Sequence, residues 1–265
     1  MRVALAQLAI EAADVRGNVG RAVDAVETAA DRGADLVVLP EVFTVGYFAF
    51  DAYARRAESL DGPTLSRLAE VARDREVAIV AGSIVEDLAT TEGGPADEGY
   101  ANTSVFLDRA GERRAVYRKR HLFGYDSAEA DLLVPGESLP VVDFEGFGVA
   151  TTTCYDLRFP ELYRAFTDAG ATLFCVPSAW PYPRVEHWTL LPRARAVENL
   201  AYVAAANGSG AFEDAALVGR STVYDPWGVA LAGSGEDPAL VVADCDPDAV
   251  ADVREEFPAL RDRRS

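Results

Sequence analysis

The sequence predicts an α/β fold in which mixed β-sheets are covered by helices, and three observations carry that prediction. Short apolar runs of strand length alternate with stretches whose apolar residues recur at helical spacing. The chain opens with a strand, a helix and a second strand in close succession. Its 265 residues, 49% of them hydrophobic, can fill one substantial core. Taken in order, Arg2 to Ala9 is β-rich, Asn18 to Asp31 has helical periodicity and stops at Gly33, and Leu36 to Leu39 is a fully apolar strand. Thr64 to Arg75 is the next helix and Val77 to Ala81 the next strand. Thr103 to Leu107 and Ala115 to Tyr117 follow as strands joined by a turn at Ala110-Gly111. Gly148 to Thr153 is a strand running directly into Cys154, Pro160 to Asp168 a helix with proline in its first turn, and Thr172 to Val176 a strand. Val185 to Glu198 reads as a helix, then Ala201 to Ala206, Ser221 to Tyr224 and Ala239 to Asp244 as strands. Thr90 to Gly99, rich in glycine, proline and acid, reads as a solvated surface loop rather than a linker, so residues 1–265 are expected to form a single domain.

Composition narrows the function. With 43 acidic residues against 25 basic the net charge is −18, which disfavours attraction to nucleic acid or to an anionic membrane and favours small-molecule chemistry. There is no uninterrupted apolar run long enough to span a membrane and no signal-peptide pattern, so a cytoplasmic protein is expected. The three cysteines, Cys154, Cys175 and Cys245, are an odd number that suits reduced thiols rather than a disulfide framework. The acid excess, high alanine and arginine, and scarcity of lysine together suggest adaptation to a salty cytosol. Against 24 arginines stands one lysine, Lys119. A lysine kept in such a chain is a candidate for work that a compact ammonium does and a planar guanidinium does not, although composition alone can also leave one lysine behind.

Three residues are expected to lie at the C-terminal ends of strands, where α/β folds place their chemistry: Glu41, Lys119 and Cys154. A cysteine nucleophile needs a base for its proton and donors for the oxyanion it creates. Glu41 can be that base and later the acid, burial raising its pKa enough for both tasks. Lys119 can balance the oxyanion, and the backbone N–H of Tyr155 is the natural second donor. A buried cysteine is usually just a small apolar core residue, but Cys154 is followed at once by Asp156, Arg158 and Glu161, a polar cluster awkward to bury without purpose. Cys175 has apolar company and reads as core, while the acidic neighbours of Cys245 would raise its thiol pKa. A Cys-His pair is the competing arrangement. His121, two residues from Lys119, either orients the site or is a hydrogen-bonded structural residue, and His187 beside Trp188 reads as packing.

These residues resemble the nitrilase-like carbon-nitrogen hydrolases from about Arg2 to Arg264. Leu-Pro-Glu-Val-Phe around Glu41, Tyr-Arg-Lys-Arg-His-Leu-Phe around Lys119 and Cys-Tyr-Asp-Leu-Arg-Phe-Pro-Glu-Leu from Cys154 look like that family's three motifs. The resemblance implies a four-layer α-β-β-α sandwich with two mixed β-sheets, pairing into homodimers or higher homo-oligomers that extend the sheets, and no metal or organic cofactor. It also implies a second acidic residue that positions substrate and the lysine. Counting back from Pro135-Gly136 this is Glu129, with Asp126 and Asp131 as neighbours able to take the part.

Within the family, Phe-Thr-Val-Gly-Tyr after Glu41, Trp-Pro-Tyr-Pro-Arg from Trp180 and Arg-Ala-Val-Glu-Asn-Leu-Ala-Tyr-Val from Arg195 are similar to the omega-amidase-like branch, whose members hydrolyse small carboxamides such as 2-oxo-acid amides. Arg158 is then either a bidentate partner for a substrate carboxylate or a salt bridge to Asp156 or Glu161. Tyr47 and Trp180 are pocket walls or ordinary aromatic packing. Hydrolysis of an N-carbamoyl amino acid or a nitrile would use the same residues, and a binding protein that keeps the fold without turnover is the alternative of another class. Pro192 falls inside a predicted helix where the family more often has leucine, so that helix is expected to start later than its periodicity suggests.

Overall fold

The computed structural model describes all residues except Asp126, Asp214 and Ser265. Strands β1 (Arg2–Gln7), β2 (Leu36–Val38) and β3 (Ala78–Val80) pair in parallel. Between them run helices α1 (Val15–Asp31), the short α2 (Tyr53–Arg56) and α3 (Pro63–Asp74). Strands β4 (Ile84–Asp87), β5 (Tyr100–Leu107) and β6 (Arg113–Arg118) complete one half of the fold, and one turn of helix, α4 (Glu129–Leu132), leads to the other. That half comprises β7 (Val141–Phe144), β8 (Phe147–Thr151), α5 (Pro160–Asp168), β9 (Leu173–Ser178), α6 (Val185–Asn199), β10 (Tyr202–Asn207), β11 (Thr222–Tyr224) and β12 (Ala230–Gly233). Strand β13 (Ala239–Asp244) returns to pair antiparallel with β1, and α7 (Pro247–Glu256) follows it.

Two mixed sheets result. Among the described residues the first has seven strands in the order β13-β1-β2-β3-β5-β4 with β6 on the free edge of β5; the second has six, in the order β12-β11-β10-β9-β8-β7. Side-chain alternation along the strands sorts the apolar residues into three layers. Val3 and Leu5 of β1 point inward with Leu36, Val38, Val149, Leu173 and Ala204, forming the layer between the sheets. Ala4 and Ala6 point outward onto Val23, Val26, Leu68 and Val71 of α1 and α3. On the far side Phe174, Val176 and Val203 meet Tyr163, Phe166, Trp188 and Ala196 of α5 and α6. Three apolar layers between four layers of structure make the fold an α-β-β-α sandwich, as the family resemblance implies.

The elements differ from expectation at particular places. Strands β4, β7 and β12 and helix α7 are absent from the sequence reading, because each is short or has little apolar periodicity. Strand β8 stops at Thr151 rather than running into Cys154. Helix α6 does not start late: it begins at Val185 and continues through Pro192. The proline cannot donate to the Trp188 carbonyl, but its ring lies on the buried stripe Trp188, Pro192, Arg195, Ala196 and Asn199, which holds the helix together by packing. Two glycines bring loops against the strand ends that matter. A Cβ at Gly82 (φ +50°) would meet the Pro40 carbonyl at 2.1 Å, and one at Gly136 would meet the Arg118 carbonyl at 2.3 Å. Gly136 also donates its N–H to the Lys119 carbonyl at 3.0 Å.

Candidate active site

Glu41 and Lys119 sit past the ends of β2 and β6, which are not neighbours in the first sheet, and Cys154 follows β8 in the second. They meet because both sheets present these strand ends to the same side of the sandwich. The Glu41 N–H reaches across to the Ser178 carbonyl at the end of β9 (3.3 Å), and the Ala179 N–H returns to Glu41 Oε2 (2.9 Å). Glu41, which follows a strand of the first sheet, is thus tied to the second through both its backbone and its side chain. Cys154 occupies a left-handed conformation (φ 46°) at the start of the 3-10 turn Cys154–Arg158. Such a conformation costs a non-glycine residue of order 1 kcal/mol or more and persists only when its surroundings impose it.

Asp156 imposes it. Its buried carboxylate accepts from Tyr117 Oη (2.6 Å), Thr153 N (2.9 Å), His121 N (3.0 Å) and His121 Nδ1 (2.8 Å). The turn that begins at Cys154 is thereby locked to the end of β6. His121 stacks on Phe159 with ring centroids 3.7 Å apart, so it is a structural histidine of this turn. Of the polar cluster after Cys154, Asp156 is this hub, Glu161 is exposed and Arg158 is half-buried at the cavity.

Lys119 is fully buried and gives its three N–H groups to carboxylates: Glu41 Oε1 at 2.8 Å, and Glu129 Oε1 and Oε2 at 2.8 and 2.9 Å. Glu129 is also fully buried and further accepts from Tyr47 Oη (3.0 Å) and Phe123 N (2.8 Å). Of the two alternatives for its part, Asp131 is exposed and Asp126 lies outside the described residues. The Cys154 thiol lies close enough to Glu41 and to the Ala179 N–H for both to act on its protonation.

Two negative groups and a thiol share one cation here, and protonation responds accordingly. Burial pushes Glu41 up, and repulsion from Glu129 adds to it, against the pull of Lys119. Burial and the Glu41 charge hold the Cys154 thiol well above its ordinary value, so the resting thiol is protonated beside a carboxylate. Burial would lower Lys119, but Glu129 and Glu41 outweigh it and keep the ammonium well above the usual lysine range.

Lys119 and Cys154 floor a cavity of about 140 Å³ whose walls include Tyr47, Phe48, Phe50, Phe123, Ser127, Tyr155, Trp180, Arg158 and Arg184. Tyr47 is both wall and tether, its hydroxyl on Glu129 and its ring 5.3 Å from Lys119 Nζ. Trp180 is fixed by its indole N–H on the Arg184 carbonyl (2.9 Å). Arg158 makes neither salt bridge foreseen for it. Its guanidinium lies over the Tyr155 and Trp180 rings (5.6 and 5.0 Å) and donates to His187 Nδ1 (3.1 Å). His187 is accordingly exposed rather than packed beside Trp188. Among the described residues neither Arg158 nor Arg184 is paired with a carboxylate. The Tyr155 N–H belongs to the first residues of the 3-10 turn, before its first internal bond from Asp156 N to Thr153 O (3.0 Å), and so needs an acceptor from outside the turn.

The other two cysteines are remote from this chemistry. Cys175 is fully buried and its thiol is pushed far up by burial. Cys245 is pushed up to about 12, chiefly by burial, with Asp244 contributing less than the sequence reading supposed. Among the described residues no cluster of histidine, cysteine or carboxylates is arranged to hold a metal. Sequence reasoning missed Asn102, Phe123, Phe48, Phe50 and Arg184. Phe123, Phe48, Phe50 and Arg184 fall in connecting loops and turns whose course periodicity does not determine, and Asn102 sits in an otherwise ordinary strand.

Comparison with known proteins bears on the family and the fold. The family model for carbon-nitrogen hydrolase matches residues 2–255. The chain is 38% identical over 236 residues to the 2-oxoglutaramate amidase of Paenarthrobacter nicotinovorans, covering 88% of this chain and 79% of that one. It is 36% identical to the omega-amidase NIT2 of Homo sapiens over 100% of this chain and 95% of that one. Among solved structures, Nit3 of Saccharomyces cerevisiae, a member of branch 10 of the nitrilase superfamily, superposes with a TM-score of 0.89 at 31% identity, covering 100% of this chain and 97% of that one. The amidase of Nesterenkonia sp. AN1, in a form carrying the acetamide moiety of fluoroacetamide on its active-site cysteine, superposes with a TM-score of 0.85 at 34% identity, covering 100% and 94%.

Proposed function

The chain belongs to the carbon-nitrogen hydrolase family and is a cysteine-dependent amidase, and from that premise we propose that Cys154, Glu41, Lys119 and Glu129 are its catalytic residues. We further propose that its substrate is a small linear carboxamide with a carboxylate at the far end, such as a 2-oxo-acid amide. The observation that carries the mechanism is the contact of a protonated thiol with a buried carboxylate whose other contacts are already made. Glu41 Oε1 is held by Lys119 and Asn102 and Oε2 by the Ala179 N–H, which leaves the thiol proton as the one the carboxylate can take.

Cys154 sulfur bonds to the amide carbon as its proton passes to Glu41. The carbonyl electron pair becomes an oxyanion, which shares the Lys119 ammonium with Glu129 and takes the Tyr155 N–H. The tetrahedral species collapses, the carbon-nitrogen bond breaks, and Glu41 returns the proton to the leaving ammonia. Water then gives a proton to Glu41 and attacks the thioester, releasing the acid and restoring the thiol. The oxyanion is where preorganised charge counts for most in a site closed to water. Glu129 holds the ammonium there and is itself held by Tyr47 and Phe123 N.

Arg158 and Arg184 support the substrate assignment. Both line the cavity, stand over aromatic rings and lack a carboxylate partner among the described residues, and a guanidinium suits a carboxylate through its forked N–H groups. The names of the two amidase relatives point the same way. The test is a panel of 2-oxo-acid monoamides, plain aliphatic amides, N-carbamoyl amino acids and nitriles, with ammonia, carbon dioxide and acid all measured. Equal ammonia and acid from a carboxylate-bearing amide is the expected result. Carbon dioxide from a carbamoyl compound, or turnover of nitriles alone, would overturn the assignment.

The protein is further proposed to act as one domain over residues 1–265, in the cytoplasm and as a homodimer. No helix among the described residues is long and apolar enough to cross a membrane. Val197 on α6, Trp227 in the turn before β12 and Phe257 after α7 expose large apolar surface, with the Trp227 and Phe257 rings 6.0 Å apart, and a second copy would cover it. Light scattering should give twice the chain mass. The acid excess of 43 against 25 basic residues is assigned to a salty cytosol; solubility or activity that improves in molar salt is the expected sign, and equal behaviour with and without salt would overturn it.

A further inference from the structure

Asn102 is buried on β5 and touches every charged member of the site, directly or through the backbone. Its Nδ2 donates to Glu41 Oε1 at 2.9 Å and to Glu129 Oε1 at 3.1 Å, and its carbonyl accepts the Lys119 N–H at 2.8 Å. The side-chain oxygen, Oδ1, is buried with no partner among the described residues. A buried amide that leaves its acceptor unsatisfied while its NH2 bridges two carboxylates has its orientation dictated by those carboxylates, since turning it over would aim the oxygen at both of them. Resting on the proposed mechanism, we infer that Asn102 is a positioning residue that holds Glu41 and Glu129 apart on one NH2 group and keeps Glu41 aimed at the Cys154 thiol.

Glu41 and Glu129 both crowd Lys119 Nζ, whose three N–H groups go to three of their four oxygens. Without a second donor between them, the two Oε1 atoms would share the ammonium alone. The repulsion would then be relieved by a proton on Glu41 or by rotation of its carboxylate away from sulfur. The amide supplies one N–H to each Oε1 and adds no charge, which a lysine or arginine at the same place would. The charged and titratable groups facing Glu41 are Lys119, Glu129, the Cys154 thiol and the Tyr47 hydroxyl. Among them only Lys119 is a cation.

The experiment follows alkylation of Cys154 by iodoacetamide, read by intact mass and peptide mapping across pH, so that no natural substrate is needed. In that step the carbon-sulfur bond forms, iodide leaves with the carbon-iodine electron pair, and the thiol proton goes to Glu41. Asn102→Leu keeps the size, removes the amide and also removes the unsatisfied oxygen. Asn102→Ala leaves room for a water molecule that can donate to the same two carboxylates. Asn102→Leu should slow labelling at neutral pH by roughly tenfold, what one hydrogen bond to a charged group is worth, and should move the acid limb of the pH profile upward. Asn102→Ala should lose less and shift less. A merely structural role predicts the reverse order, because Ala leaves the larger cavity, and predicts unmoved limbs. Either of those results overturns the inference, and the limb in Asn102→Ala decides alone if Asn102→Leu does not fold. Failure of the wild-type protein to label at Cys154 would instead overturn the mechanism on which the inference stands.

Discussion

Arg118 and Lys119 are adjacent in sequence, both nearly or fully buried and both paired with glutamate, yet they serve opposite ends. Arg118 turns to one face of β6 and grips Glu86 with two parallel bonds of 2.7 and 2.8 Å, while Thr103 and Thr91 hydroxyls complete that carboxylate at 2.6 and 2.8 Å. Lys119 turns to the other face and meets two carboxylates and, beyond them, a thiol. At the arginine one cation faces one anion and the polar atoms are satisfied. Burial would raise Glu86, but Arg118 and the two threonines override it and leave the carboxyl below its usual range. At the lysine the negative groups outnumber the cation, and Glu41 is left raised and Cys154 protonated. A balanced buried cluster stabilises the fold. An unbalanced one keeps a proton available to move, which a hydrolase needs.

The comparison breaks first if the two cations are interchangeable. Lys119→Arg should reduce kcat by about 10²- to 10³-fold, the scale of losing an oxyanion contact, because a planar fork cannot direct three bonds into a site built around one ammonium. Residual activity near wild type in a steady-state assay would leave only a role for charge.

Next comes Glu86→Gln, which should leave kcat within about twofold while costing roughly 3 kcal/mol, since it strands a largely buried guanidinium. That corresponds to a fall of roughly 6–10 °C in Tm for a chain of this size. The pH sign follows from the lowered carboxyl. Its contribution is present above the unfolded value, near the ordinary glutamate figure of 4.5, and is lost as pH falls through the lower folded value. Melting curves of wild type and variant should therefore converge in acid and diverge at neutral pH.

A third expectation concerns the rate. As the proposed base Glu41 must be ionised, and burial with Glu129 beside it lifts its pKa, so kcat/KM should fall in acid at a pH above the ordinary glutamate value of 4.5. Glu129→Gln removes the repelling charge and should move that limb to lower pH even as kcat drops. An unmoved limb would mean that Glu129 does not act on Glu41.

The smallest effect is expected from Arg118→Lys, about 1 kcal/mol of stability from the lost second bond and no change in the pH profile.

Much of this contrast is legible in the sequence, for reasons that can be named. Lys119 stands out because arginine fills the other basic positions, and Cys154 because a polar cluster follows an apolar strand. The layered α/β fold follows from apolar runs of strand length alternating with helical spacing. What stays hidden depends on partners distant in sequence. Nothing in Tyr-Ala-Asn-Thr-Ser marks Asn102 as a bridge between carboxylates 61 and 27 positions away. Glu86 looks like any strand-end acid until Arg118, 32 residues on, closes over it. Pro192 misleads because local backbone chemistry favours a break, whereas packing of α6 on the second sheet decides otherwise.

The central claim, that a protonated thiol is activated by the carboxylate beside it to take up an acyl group, is tested most directly by intact-mass analysis of the enzyme quenched during turnover of a carboxylate-bearing amide. The account predicts a mass increase equal to the acyl group, mapped to the peptide containing Cys154 and missing in Cys154→Ala, which should still fold but not turn over. Turnover that persists in Cys154→Ala, or an acyl group mapped to Cys175 or Cys245, would contradict it.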